Sequence, residues 1–376
     1  MADDLARARQ MNGRAGDTRV LEVHPTRRCN LACGHCYSWS GPRAREELPL
    51  ELLLACVEDA AGLGYTELAV SGGEPLLYRG LAPLLARARS VGMTTTMTTN
   101  GMLASYHRWD PVAPLVDALA VSIDGRPAEH DRIRGRRGAF DRTVENLEVL
   151  RDSGVAFGFV FTLTRHNVES LEFVVRLAAE QGARSVRVHP LTLHGRAIVR
   201  MPGSRPDSHE LVAALRESAR LAGELDVALH VDALARGQFL AYRERLVPAR
   251  PVRELADAAP ILVVEPDSTV VPLTHEVSRD LALGRLVEAP LPALAPEWIA
   301  SGRGERLAQA CEDAWSALAA AEDCAATYWY DEVAERTRAD AARAAKSIPI
   351  VEAGVVPARK PTAFHDFLET AFVGPT

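Results

Sequence analysis

The sequence predicts an α/β protein: a partial (β/α)6 TIM-like barrel followed by a smaller α+β region. Two observations carry that reading. Short, β-branched apolar runs alternate with segments of helical period from residue 19 to about residue 190, the pattern of a parallel sheet with crossover helices. Polar and glycine-rich residues suited to holding a ligand also fall at the ends of successive predicted strands, the edge at which a βα barrel builds its chemistry.

Taken in order, residues 1–18 are polar and read as a mobile tail. Arg19 to His24 has the pattern of a buried strand ended by Pro25, and a cysteine-rich loop follows directly. Leu50 to Leu63 is apolar at helical spacing and stops near Gly62 and Gly64, with Cys56 on its apolar face as core packing. Glu67 to Ser71 is the second strand and runs into Gly72-Gly73-Glu74-Pro75. A helix over 81–90 leads to the β-branched strand 93–99, which ends in Asn100-Gly101. The strand from Ala118 closes on Ser122 and Asp124, which the period of two puts on one side. His130-Asp131-Arg132-Ile133-Arg134-Gly135 and Gly138-Ala139-Phe140-Asp141 precede a helix through Leu150. Strand 155–163, helix 171–181 and strand 185–189, ended by Pro190, complete six units.

Beyond them, a helix over 208–223 and a strand over 227–231 lead to a Pro/Arg-rich run at 247–253. This run is the expected boundary between a barrel of residues 19–246 and a C-terminal part of residues 247–376. Within residues 261–273, two apolar strands flank a Pro266-Asp267-Ser268 turn. The Pro-rich stretch 290–296 reads as a connector, and 305–321 and 330–346 read as helices. In the tail from Lys346, Phe364, His365, Phe367, Leu368 and Phe372 would pack back against the protein as a short amphipathic helix.

The composition is that of a globular enzyme. A net charge of −7 argues against a nucleic-acid partner, whose affinity needs clustered basic residues. No targeting segment and no run of roughly 18 apolar residues is present, so the expected location is the cytoplasm, with no membrane partner. Six cysteines, three of them within eight residues, do not make a disulfide framework in a chain of 376.

Those three lie in Cys29-Asn30-Leu31-Ala32-Cys33-Gly34-His35-Cys36-Tyr37, with no fourth thiol nearby. Structural zinc sites and ordinary four-iron clusters take four ligands. Three thiolates would leave one iron open to a small molecule. A zinc loop borrowing His24 or His35, and three core cysteines grouped by chance, are the alternatives.

With His35 before its third cysteine, the motif resembles the CxxxCxΦC signature of the radical SAM superfamily. Over residues 20–197 the GGEP, TNG, SxD and HDxxRG…GxF phrases follow in the order of the branch containing MoaA-, PqqE- and peptide-maturase-like enzymes. Pro190 to Ala197, through His194-Gly195-Arg196, resembles a post-barrel loop of the same branch. The resemblance implies one [4Fe-4S] cluster on Cys29, Cys33 and Cys36, with S-adenosylmethionine (SAM) chelating its open iron. It further implies SAM contacts from His35, from Gly72, Gly73 and Glu74 at the methionyl amine, and from Asn100 near the carboxylate and ribose. Ser122 and Asp124 would lie beside the ribose or the substrate, and Arg134 would reach the carboxylate. Each has a plainer reading: Asn100-Gly101 as a turn, Asp124 as a strand cap, Arg134 and His130 as loop fasteners, His189 and His194 as loop hydrogen-bonders.

The segment 261–273 resembles the hairpin of SPASM and twitch domains, written PDGxVxPC, which carry auxiliary clusters. Here Ser268 replaces the turn glycine, Leu273 replaces the cysteine, and Leu283-Gly284-Arg285-Leu286 replaces a later phrase. Only Cys311 and Cys324 remain downstream, so the expectation is a SPASM-like scaffold without an auxiliary cluster.

The implied activity is reductive cleavage of SAM to a 5′-deoxyadenosyl radical that takes hydrogen from a peptide, as in crosslinking or epimerisation. A small sugar, amino-acid or nucleoside substrate is one alternative. A non-catalytic iron–sulfur or zinc scaffold is another, against which Glu74, Asn100 and Asp124 argue. The expected electron donor is an external flavodoxin- or ferredoxin-type protein. A leader-recognition domain of about 80 residues does not fit before the cysteine loop, which leaves a separate recognition protein as a candidate partner. An epimerisation would need a hydrogen donor, for which Cys311 and Cys324 are the candidates.

Overall fold

A computed structural model describes residues 18–347, so the expected tails fall outside the described residues apart from their inner ends. The barrel strands are β1 (Val20–Val23), β2 (Glu67–Val70), β3 (Thr94–Thr99), β4 (Ala118–Ser122), β5 (Phe157–Leu163), β6 (Ser185–Pro190) and β7 (Ala228–Val231). They pair in sequence order, each parallel to the next. The helices between them include α1 (Leu50–Gly62), α2 (Leu81–Ser90), α3 (Pro127–Arg134), α4 (Ala139–Asp152), α5 (Leu171–Gln181), the short α6 (Ala197–Arg200) and α7 (Ser208–Glu224), with a further single turn at Tyr106–Trp109. Cys56 is buried in α1, as expected of a packing residue.

Alternation along the strands separates two faces. Leu21, Val23, Leu68, Phe161, Val186 and Val188 turn toward the helices and are essentially without solvent exposure. Each such side chain contributes about 2 kcal/mol by leaving water. Glu22, Thr96, Thr98, Arg187 and His189 turn to the other face and retain exposure. A closed eight-stranded barrel fills that inner space with branched apolar side chains. Here it is polar and open.

After the strand β8 (Leu234–Ala235), the chain returns to the same sheet. The strand β9 (Ile261–Val264) lies parallel to β1, with Val20 opposite Ile261 and Val23 opposite Val264. Antiparallel to it runs β10 (Thr269–Pro272), followed by β11 (Gly284–Arg285). The C-terminal hairpin thus covers the β1 edge and extends one sheet to ten strands. Helices α8 (Leu291–Ala300) and α9 (Arg303–Ala320), strand β12 (Ala326–Thr327), which pairs with β8, and helix α10 (Trp329–Ser347) complete the described chain.

The stretch 290–296 is a correction. Instead of a connector, it forms the first part of α8, with Pro290 as N-cap and a second proline in the first turn, where no intrahelical N–H is needed. Leu291, Leu294, Ala295 and Trp298 recur at helical spacing and are buried, and the Trp298 indole donates to the Leu281 carbonyl at 2.8 Å. That burial outweighs the bond Pro296 cannot make inside the helix.

Candidate active site

The cysteine loop leaves β1 and is held by cross-ties rather than by regular structure. The Arg196 side chain donates to the Cys33 carbonyl at 2.8 Å and to the Ser40 carbonyl at 2.6 Å, while its backbone N–H donates to the Cys36 carbonyl at 2.8 Å. Gly34 N–H donates to the Ile133 carbonyl at 2.8 Å, seating the loop against the end of α3. Thr26, Arg28 and their neighbours run against the GGEP turn. A Cβ on Gly73 would stand 2.3 Å from the Arg28 carbonyl oxygen, and one on Gly72, at φ +94°, would stand 2.7 Å from His24 Cβ. The close approach these glycines permit is to the chain itself.

Cys29 and Cys33 are buried and Cys36 half-buried, in a small apolar pocket with Leu31, Met102 and Ala139. Each sulfur has at least one polar neighbour: Cys29 accepts from Leu31 N–H at 3.5 Å and lies 3.8 Å from the Asn100 amide nitrogen and 4.0 Å from the Asn30 side-chain oxygen, the Arg134 guanidinium lies 3.9 Å from Cys33, and the Ser38 hydroxyl 3.5 Å from Cys36. Burial, reinforced by the Glu74 charge, pushes the Cys29 thiol up to about 12, and burial also raises Cys33 against the pull of Arg134. Neither thiol ionises near neutral pH until a metal replaces its proton.

Glu74 has no solvent exposure. One carboxylate oxygen accepts from Leu76 N–H at 3.2 Å and from the Thr99 hydroxyl at 2.8 Å, and the other from Asn100 N–H at 3.0 Å. Burial still pushes its carboxyl above the usual value. The side chain thereby clamps the end of β2 to the end of β3. Asn100 spends its amide on Asn30 at 2.8 Å and on Cys29, and its carbonyl oxygen accepts from Met102 N–H at 3.0 Å.

Asp124 sits beyond β4, fully buried, between His35 at 2.9 Å and the Arg134 guanidinium at 2.6 Å. Its second oxygen accepts from Thr162 N–H at 3.2 Å. Burial alone would raise its carboxyl, but the charges of Arg134 and His35 hold it far below the usual carboxylate range. His130 accepts from Asp124 N–H through Nδ1 at 3.2 Å, and burial beside Arg134 pushes its imidazole down to about 4. Ser122 is buried at the end of β4. Cys29, Cys33, Cys36, His35, Glu74, Asn100, Asp124 and Arg134 are therefore one connected group. Cys311, buried on α9, and Cys324, whose thiol meets the Ala326 carbonyl, are not tied into it.

Several residues of this end of the barrel carried no role in the sequence reading. Arg196 is the main brace of the loop, and its only signal was its place in the post-barrel phrase. Tyr37, next to a cysteine, bonds His24 at 3.2 Å and Ser71 at 3.1 Å, and stacks on His275 with ring centres 4.0 Å apart. His24 also holds Glu22 at 2.8 Å. Farther along the inner face, Asp232 binds Arg187 at 2.7 Å and His189 at 2.8 Å, with Tyr328 edge-on to His189. His194 lies edge-on to His275.

The two histidines that a zinc loop would borrow thus hold other partners. Among the described residues no three His, Cys, Asp or Glu side chains gather as a single-ion site. Three thiols, each with a hydrogen-bond donor beside it to offset charge, are a donor set that suits a thiolate-ligated cluster.

Comparison with known proteins agrees with this chemistry. Residues 23–178 match the family model described as Radical SAM superfamily. The chain is 32% identical over 205 residues to Fe-coproporphyrin III synthase of Methanosarcina barkeri, covering 54% of this chain and 51% of that protein. It is also 32% identical over 210 residues to PqqA peptide cyclase of Ruegeria pomeroyi, covering 53% of this chain and 55% of that one. The chain spans about half the length of the curated relatives it matches. Among solved structures, native anSMEcpe with bound AdoMet and Kp18Cys peptide shares the fold, with a TM-score of 0.59 at 16% identity over 88% of this chain and 99% of that one. Among the described residues, no helix is long and apolar enough to cross a membrane.

Proposed function

This chain carries a radical SAM domain over residues 23–178, and from that premise we propose that it binds one [4Fe-4S] cluster through Cys29, Cys33 and Cys36 and acts on a peptide. The observation that supports the cluster assignment most is that the three sulfurs share a largely apolar pocket in which each meets at least one hydrogen-bond donor. When bound and reduced, the cluster would supply the electron that splits SAM and yields a hydrogen-abstracting 5′-deoxyadenosyl radical.

The chain's own residues do the positioning. Asn100, Arg134 and Ser38 face the sulfurs and would moderate their negative charge. The GGEP turn, braced by Glu74, and the Asp124–Arg134–His35 group fix the strand ends around the loop, where SAM would be held. The open inner face would take the substrate. Its Glu22, Thr96, Thr98, Arg187 and His189 offer hydrogen-bond partners that the amides of a peptide segment need. The similarity to a peptide cyclase points the same way, whereas the similarity to a coproporphyrin synthase supports a second reading, a small-molecule substrate.

The test is anaerobic reconstitution with iron and sulfide, followed by dithionite, SAM and either a precursor peptide encoded beside the gene or Fe-coproporphyrin III. We expect about four irons per chain and deuterium transfer from labelled peptide to 5′-deoxyadenosine. Tight zinc with no SAM cleavage would refute the cluster assignment. Turnover of the porphyrin and not of the peptide would replace the substrate.

A further inference from the structure

We propose that the surface over the outer turn of the cysteine loop is the docking site of an acidic one-electron carrier protein. The proposal rests on the cluster assignment above and names the partner that would reduce it. The centre of this surface is apolar and bare: Trp39 is 54% exposed, Ile198 56% and Val199 65%. Arg196 joins the three, because its guanidinium lies 5.8 Å from the centre of the Trp39 ring and its backbone leads into α6, which carries Ile198 and Val199. Trp39 is a bulky residue held at φ +56°, a left-handed conformation that such residues rarely adopt, and its ring remains largely uncovered.

The rim is basic. Arg200 ends α6, while Arg132, Arg136 and Arg137 cluster where α3 meets the loop through the Gly34–Ile133 bond. All four are exposed, and none pairs with a carboxylate among the described residues. A chain of net charge −7 thus keeps a group of unpaired arginines beside its three-thiol loop. An aromatic and aliphatic centre with an arginine rim has the composition of a protein interface, and its charge selects an acidic partner.

The position suits electron transfer. Ala32 on the outer turn is exposed, while Cys29 and Cys33, on either side of it in the chain, are 9% and 7% exposed. A partner seated there comes close to the thiols and leaves the inner face to the substrate. Each encounter oxidises the carrier by one electron and reduces the cluster by one, with no bond or proton exchanged.

The experiment compares the reconstituted enzyme with its Arg136→Glu/Arg137→Glu/Arg200→Glu variant, using pre-reduced acidic ferredoxin in one arm and dithionite in the other. Cluster reduction is followed by absorbance, and 5′-deoxyadenosine is counted. At low salt the ferredoxin-driven rate should fall at least about tenfold in the variant. The gap should close near about 0.5 M salt, where exposed charges are screened. Dithionite-driven turnover should match that of the parent. Trp39→Ala, which leaves the charges in place, should weaken ferredoxin binding at every salt concentration. Equal ferredoxin rates in parent and variant would overturn the proposal. So would a variant that loses peptide binding yet still accepts electrons from ferredoxin, or one that loses dithionite-driven turnover as well. If the parent itself makes no deoxyadenosine with dithionite, the cluster assignment fails, not the surface.

Discussion

Residues 29–41 form almost no ladder hydrogen bonds, whereas residues 261–273 form a regular hairpin on the edge of the main sheet. The resembling domains carry an iron–sulfur ligand in both, and this sequence is expected to keep only the first, because Leu273 stands where the second cysteine would be. In the first, the arginine brace, the Gly34–Ile133 bond and the buried Asp124–Arg134–His35 group leave three sulfurs facing polar neighbours. In the second, Leu273, where the cysteine would stand, is buried in the apolar core that also holds Leu262 and Val264. The loop surrounds its sulfurs with polar groups that could offset the charge of a cluster. The hairpin surrounds Leu273 with apolar side chains, where a bare thiolate would lose its hydration without compensation.

The sharpest way to test this contrast is to remove one sulfur. Cys33→Ala should reduce iron from about four per chain to below about one, while circular dichroism stays unchanged, because the fold rests on the sheet and not on the loop. Unfolding of that variant would mean the loop is part of the core. Next in size is Arg196→Ala, which strands the Cys33 and Ser40 carbonyls. Two charge-assisted bonds at about 2 kcal/mol each give a loss of about 4 kcal/mol. It should be confined to the loop and appear as faster hydrogen exchange there and faster iron loss to a chelator.

The third prediction is a pH effect of about 3 kcal/mol. His130 is buried in a neutral form with its folded value near 4, against about 6.5 when unfolded. The unfolded chain therefore binds more protons between those values, and stability should decline as pH falls from about 6.5 toward 4. Above about 6.5 this residue contributes no slope. Denaturation at pH 7.5 and at pH 4.5 would measure it, and His130→Gln should flatten the part of the decline due to this site.

Much of this was legible. The barrel strands showed as β-branched runs with a period of two, and the residues at their ends were named because motif order fixed them. The brace from Arg196 was not legible, since a side chain that binds backbone carbonyls over 150 residues away leaves no local pattern. The parallel pairing of β9 with β1 was hidden for the same reason. Helix α8 was legible and was misread: prolines at 290, 292 and 296 suggested a connector, yet Leu291, Leu294, Ala295 and Trp298 already held a helical stripe. Three prolines weigh less than four buried apolar side chains when two of the prolines stand in or before the first turn.

The smallest expected effect lies in the hairpin and separates backbone strain from packing. Ser268 replaces the turn glycine of the resembling domains and adopts φ +69°, with its hydroxyl buried and unpartnered. The left-handed conformation costs a residue with a Cβ about 1 kcal/mol or more, and a desolvated hydroxyl adds about 1 kcal/mol. Glycine would relieve both while losing about 0.5–1 kcal/mol through its greater freedom when unfolded. Ser268→Gly should therefore stabilise the protein by about 1–1.5 kcal/mol, and Ser268→Ala, which removes only the hydroxyl, by up to about 1 kcal/mol. Neither should change iron content, since the hairpin's stability comes from apolar packing and turn geometry. If alanine matched glycine in denaturant midpoint, backbone strain would not be the term that matters. If either variant altered iron loading, the hairpin and the cysteine loop would be coupled, and the contrast between them would not hold.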